Sequence, residues 1–150
     1  MKSLGYAING IIYTVKTQLN MRIHLVFAFY VILAGFVTKL DKNEWTAVLI
    51  CIGAVTGAEA FNTAVESLCD TLHPGKAEGI AHTKDSAAGA VLLMAVASAV
   101  VGSVIFFNGE KIRQALNFAK ENPVAAGLIL LSLVPMLIFV FKPPFKKKEE

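Results

Sequence analysis

The chain has 150 residues, 55% of them hydrophobic and only 17% charged, with a net charge of +3. Soluble domains carry about a quarter charged residues, so this composition excludes an ordinary soluble domain and predicts a small helical membrane protein of three or four spans. No basic stripe lies outside the membrane flanks, so the positive charge reads as orientation and anionic-lipid contact and argues against nucleic-acid binding.

In chain order, residues 2–19 come first. Leu4, Ala7, Ile8, Ile11, Ile12 and Val15 form one apolar stripe, with Lys2, Asn9 and Lys16 off it. This pattern predicts an amphipathic helix lying in the membrane interface. A first span is expected over 20–38, then a polar turn over 41–44, with Trp45 as an interfacial anchor. A second span follows over 45–70. Its Gly53 and Gly57 have the GxxxG spacing that permits close helix approach, and Cys51 and Cys69 read as small core hydrophobes.

Pro74-Gly75 and the polar residues around it predict a loop over 71–85 that ends in a helix start. The third span is expected over 86–107. Asn108-Gly109 is a turn signal, and 110–121 suits a second interfacial helix. Pro123 fits the first turn of a fourth span, which Pro135 kinks. The basic tail from Lys142 reads as a solvated stop. With the N-terminus cytoplasmic, nine Lys and Arg fall on the inside and five on the outside, in the sense of the positive-inside rule.

The second span carries the chemistry. Glu59, Asn62, Thr63, Glu66 and Asp70 fall within roughly a 100° arc, so one face of an otherwise apolar helix is acidic. Ionisable groups at membrane depth are costly, which makes them candidate functional residues. Glu66 and Asp70 approach the cytosolic boundary, and Glu59 lies about two turns deeper. Lys84 and Asp85 return to that boundary at the start of the third span.

A Mg²⁺ ion wants one or two carboxylates plus phosphate oxygens, and a lysine suits phosphate as a point charge. A deeper carboxylate can take a proton from a lipid hydroxyl. These groups together fit phosphoryl transfer to a membrane-embedded alcohol. Gly75-Lys76 lacks the upstream glycine and following Ser/Thr of a P-loop, so any nucleotide site is of another kind. Two other readings remain open: a proton or cation conductor along the Glu59–Glu66 face, and a catalytically weakened assembly subunit.

More modest roles weigh against each residue. Asn62 and Thr63 can serve as interhelical hydrogen-bonding groups, and Arg22 and His24 as interfacial anchors. His73 and His82 read as solvated loop residues, Glu78 as a loop residue and Asp70 as a boundary residue. For Glu59 and Glu66 the structural alternative is weak, because an idle buried carboxylate is expensive.

The motifs Glu59-Ala-Phe-Asn62-Thr63-Ala-Val-Glu66-Ser-Leu-Cys-Asp70 and Ala81-His-Thr-Lys84-Asp85-Ser-Ala-Ala-Gly89-Ala-Val resemble those of the small prokaryotic integral-membrane diacylglycerol kinases. Lys16-Thr17-Gln18-Leu19-Asn20-Met21-Arg22-Ile23-His24-Leu25 resembles the matching element of that family's undecaprenol kinase branch. The likeness covers roughly 2–107. It implies a kinase-like membrane domain over 1–109, with an extra transmembrane helix and basic tail over 110–150.

The resemblance also implies roles. Glu59 would be the general base, Glu66 the Mg²⁺ ligand supported by Asn62, and Lys84 and Asp85 the ATP-binding pair, with Tyr6 near the nucleotide. It implies a homotrimer with shared active sites in the bacterial inner membrane, its N-terminus and active sites cytoplasmic, acting on undecaprenol or diacylglycerol. One departure stands out: Gln18 occupies the place of a second metal-binding glutamate, and it offers a carbonyl oxygen without a charge. The fourth span has no counterpart in the family pattern.

Overall fold

The structure is a computed structural model, described over residues 2–75 and 77–143; Met1, Lys76 and the tail beyond 143 lie outside the described residues. All regular structure among the described residues is helical. The order is α1 (Lys2–Thr17), α2 (Leu19–Val37), α3 (Lys42–Leu72), α4 (Glu78–Phe106), α5 (Gly109–Glu121), α6 (Pro123–Leu131) and α7 (Leu133–Phe141). Four stretches are long and apolar enough to cross a bilayer: α2, α3, α4 and the joined α6–α7.

The amphipathic α1 packs lightly and turns most of its apolar residues outward, with Leu4 and Tyr6 about 70% exposed. That is the surface expected of an interfacial helix, whose apolar stripe faces lipid rather than protein.

The helix α3 has 31 residues, which at 1.5 Å each make about 46 Å, well beyond a hydrocarbon core of about 30 Å. One end therefore projects past the membrane. It packs most extensively on α4, which also overruns the bilayer. The connection between them occupies only 73–77, far less than the loop expected over 71–85. Hydropathy marks where a helix leaves the bilayer, not where its hydrogen bonding stops. Glu78 suits the positive end of the α4 dipole and lies 4.0 Å from His82 one turn on, so the polar stretch stays helical.

At the opposite end, α2 turns into α3 through Lys39, whose φ of 51° lies in the left-handed region. Asp41 then caps α3. Its Oδ1 accepts from the backbone N–H groups of Asn43 at 2.7 Å and Glu44 at 2.9 Å, and Glu44 Oε2 accepts from Asp41 N–H at 2.8 Å. The Glu44 N–H, with smaller help from Asn43 and Lys111, holds the Asp41 carboxyl below its ordinary 3.8, so the cap is intact above that pH and lost only as pH falls through the lowered value.

Trp45 does not simply float at the interface: it packs on Phe36 at 4.9 Å between ring centroids and fills the space beside Gly35. A Cβ on Gly35 would meet the Trp45 ring at 2.7 Å, so only glycine fits there. Leu40, Val48 and Ile105 form the adjoining core.

Lys111 of α5, within the stretch expected to be an interfacial helix, is buried against this corner. Its Nζ donates to Glu44 Oε2 at 2.7 Å and to the carbonyls of Thr38 and Lys39 at 3.3 Å. The fourth span breaks at Ser132, three residues before Pro135. Proline has no N–H for the Leu131 carbonyl, which is the reason for the interruption. The Ser132 Oγ lies 2.8 Å from the Tyr30 hydroxyl on α2. Cys69 is buried, Cys51 half-buried, and both are free thiols. Gly53 and Gly57 are exposed, and a Cβ added at either would meet nothing within 4 Å, so the GxxxG face is not used inside this chain.

Candidate active site

The acidic end of α3 is met by α1, by the joint between α1 and α2 and by the start of α4. Counting from Trp45, Glu59 lies about 21 Å along the helix axis and Glu66 about 32 Å. Glu66 thus stands near the far edge of the hydrocarbon layer, and Glu59 about 10 Å inside it.

Glu59 is 1% exposed, and Asn62 and Thr63 are 4% exposed. Thr63 donates its hydroxyl back to the Glu59 carbonyl at 2.9 Å and leaves the carboxylate alone. Both Glu59 carboxylate oxygens and Asn62 Oδ1 are buried without a hydrogen-bond partner among the described residues. Buried polar atoms are normally paired, so these three oxygens are an acceptor set awaiting a donor or a cation.

Glu66, by contrast, is held on both sides. Asn62 Nδ2 donates to its Oε1 at 3.1 Å, and Gln18 Nε2 donates to its Oε2 at 3.0 Å. Gln18 reaches it because the chain leaves helical geometry there, with φ −103° and ψ 122°, at the joint between α1 and α2.

The rim is charged. Lys84 pairs with Asp70 across the α3–α4 hairpin, with the two side chains 32% and 68% exposed. Exposed pairs of this kind contribute little, so an incoming phosphate can take over the lysine at small cost. Free backbone N–H groups play no part at Lys84, since α4 already begins at Glu78. Asp85 and Tyr6 are both exposed, and no hydrogen bond joins either to the cluster.

The structure therefore brings together Glu59, Asn62, Glu66 and Gln18, attaches Lys84 through Asp70, and leaves Tyr6 and Asp85 outside. Arg22, read from the sequence as an interfacial anchor, is instead 5% exposed and bonded to the Gln18 carbonyl at 3.4 Å. Its spacing of four from Gln18 was the available signal.

Two cavities flank the acidic face. One of about 570 Å³ lies between α1 and α3, lined among others by Gly10, Thr14, Thr63, Ser67 and Thr71. The other, about 320 Å³, opens among α2, α3 and α4 between Phe27, Cys51, Val55, Thr56, Ala95 and Ala99. Val55 is one turn from Glu59, so this apolar space leads toward the buried carboxylate.

Among the described residues no three His, Cys, Asp or Glu side chains converge as a metal cage. A Mg²⁺ ion held by one or two carboxylates, with phosphate and water completing its shell, fits the remaining acceptor positions of the Glu66 carboxylate beside the unpaired Asn62 Oδ1.

The family model described as prokaryotic diacylglycerol kinase matches residues 5–106, which run from α1 to the end of α4. An undecaprenol kinase of Bacillus subtilis is 35% identical over 105 residues, covering 70% of this chain and 85% of that protein. A diacylglycerol kinase of Synechocystis sp. is 37% identical over 104 residues, covering 69% of this chain and 59% of that protein. No solved structure matches the chain. The matched span contains the whole acidic face and its lysine, and on that span the chain belongs to the prokaryotic diacylglycerol kinase family and is a membrane lipid kinase.

Proposed function

We propose that this protein transfers the γ-phosphoryl group of ATP to the hydroxyl of a membrane lipid, undecaprenol or diacylglycerol, at the cytoplasmic edge of the bacterial inner membrane. The observation that carries this reading is Glu59: a carboxylate 1% exposed, with both oxygens unpartnered, about two turns inside a charged rim.

In the proposed reaction the lipid lies with its hydrocarbon chain along the apolar cavity by Val55 and its hydroxyl at Glu59. Glu59 accepts the hydroxyl proton as the lipid oxygen bonds to the γ-phosphorus and the bond from that phosphorus to the ADP oxygen breaks. A low-dielectric surrounding strengthens this contact and keeps competing water away. Lys84 exchanges Asp70 for phosphate oxygens, and Asp85 beside it helps hold the nucleotide from the rim. Glu66 would hold Mg²⁺, with Asn62 keeping its carboxylate in place and Gln18 taking the second position without a charge. That ion, when bound, neutralises charge on the phosphates. Tyr6 is proposed near the nucleotide because its neighbours Ala7 and Gly10 line the cavity against α3. The lipid-exposed Gly53 and Gly57 support packing of further copies, in keeping with a homotrimer.

The relative matched over most of its own length is named for undecaprenol, which favours that acceptor. The test is a side-by-side assay of the purified protein with ATP, Mg²⁺ and each lipid. Phosphorylated undecaprenol is the expected product. Transfer to neither lipid by folded protein sinks the reading.

A further inference from the structure

The fourth span, α6–α7, lies beyond the residues matched by the family model, yet it is tied into the site end of the molecule. The tie is Arg22, in the second turn of α2. Its Nη1 donates to the carbonyls of Lys142 and, at 3.5 Å, Phe139, at the C-terminus of α7. Its Nε donates to the Gln18 carbonyl at 3.4 Å. A cation buried at a helix C-terminus is favourable, because the last carbonyls have no intrahelical partner and carry the negative end of the dipole.

The same residue whose carbonyl Arg22 holds, Gln18, sends its side chain to Glu66 Oε2 at 3.0 Å. The chain of contacts is continuous: α7 carbonyls, Arg22 guanidinium, Gln18 backbone, Gln18 amide, Glu66 carboxylate.

We propose that the fourth span is a positioning element for Glu66, acting through Arg22 as the joint between α7 and the α1–α2 elbow. Gln18 sits at a break between two helices: its N–H closes α1 on the Thr14 carbonyl at 2.8 Å, while its extended backbone, as the N-cap of α2, sets the angle between them. Arg22 adds a side-chain constraint on the α2 side of that break, through the Gln18 carbonyl, and α7 supplies the fixed acceptors that hold Arg22 still. Tyr30 and Ser132, bonded at 2.8 Å further along the span, keep α7 against α2 without touching the elbow. The consequence for Glu66 rests on the reading of that residue as the metal ligand; the constraint on the elbow does not.

A lysine in place of Arg22 keeps a cation for the α7 carbonyls but lacks the fork that reaches two directions at once. This difference separates positioning from simple anchoring. The experiment uses the full-length protein in lipid nanodiscs as wild type, Arg22→Lys, Arg22→Gln and Tyr30→Phe, with two readouts.

Amide hydrogen exchange at Gln18–Arg22 is expected to quicken severalfold in both Arg22 variants and to stay at the wild-type rate in Tyr30→Phe. The KM for Mg-ATP is expected to rise about tenfold in both Arg22 variants, the lower end for residues that orient a metal ligand, while the KM for lipid is unchanged. Wild-type exchange and wild-type KM in Arg22→Lys overturn the proposal and leave Arg22 as an anchor of α7 alone. Should Arg22→Gln fail to fold, Arg22→Lys carries the test by itself. The exchange arm reads the elbow whether or not phosphate is transferred, so its outcome is separable from that of the proposed reaction.

Discussion

Glu59 and Glu66 are two turns apart on one helix face, and their surroundings divide the work between them. Glu66 accepts two amide donors, one on each carboxylate oxygen, so its direction is set. Glu59 has neither, so the group deepest in the membrane is also the one free to take a proton. Glu59→Gln keeps the shape, removes the base and relieves an uncompensated buried acid. Its expected outcome is a loss of about 10²–10⁴ in kcat with no fall in unfolding temperature, read by steady-state assay and thermal scan. Gln18→Glu replaces an amide donor with a second carboxylate against Glu66 Oε2. Without metal the two acids repel, so the variant unfolds at lower temperature than wild type. Mg²⁺ then raises its unfolding temperature by more than it raises that of wild type. Equal Mg²⁺ shifts in both proteins would show that position 18 lies outside the metal shell.

Among the elements, α3 sets the geometry of both ends. Its capping box and the Lys111 clamp lie at one end, and the acidic face lies at the other, separated by a span of apolar turns. Lys111 is 7% exposed and has three oxygen acceptors, one of them a charged glutamate. Lys111→Met takes the cation from Glu44, which keeps only the Asp41 N–H, and the donor from two helix-end carbonyls, which is expected to cost about 3 kcal/mol of stability, measured by denaturant unfolding in detergent. Because the damage falls at the end remote from Glu59, the KM for either substrate is expected to hold. Gly35 illustrates the same corner: Trp45 read as a bilayer anchor from its place in the sequence, but its ring is committed to packing on α2.

For the molecule as a whole, four spans return the chain to the side on which it began. The bonds from Arg22 to Phe139 and Lys142 put the start of α2 and the end of α7 at one membrane face. Cysteine tags placed at the two termini are therefore expected to react with an impermeant thiol reagent from the same side, the cytoplasmic one under the positive-inside count. Labelling from opposite sides would require an odd number of crossings and overturn the four-span topology. The surface of α1 and the outer faces of α4, α6 and α7 are rich in exposed Leu, Val, Ile and Phe, as a protein solvated by lipid requires.

The helical membrane class, the four spans, the interfacial α1 and the acidic face of α3 were all legible in the residues alone. Each depends on local periodicity and on the cost of charge in hydrocarbon, and both are written along one segment of chain. The boundaries of α3 and α4 were less legible, because helices continue in water where hydropathy falls silent. What only the tertiary structure decided are the contacts across distant segments: Gln18 donating to Glu66, Lys84 pairing with Asp70, Lys111 buried under the α2–α3 turn, and Arg22 bound to α7. These depend on where a side chain's partners arrive in space, and no spacing within one helix encodes that. The sequence alone determined that this chain carries costly acids at a membrane edge; packing decided which acid is held and which is left free.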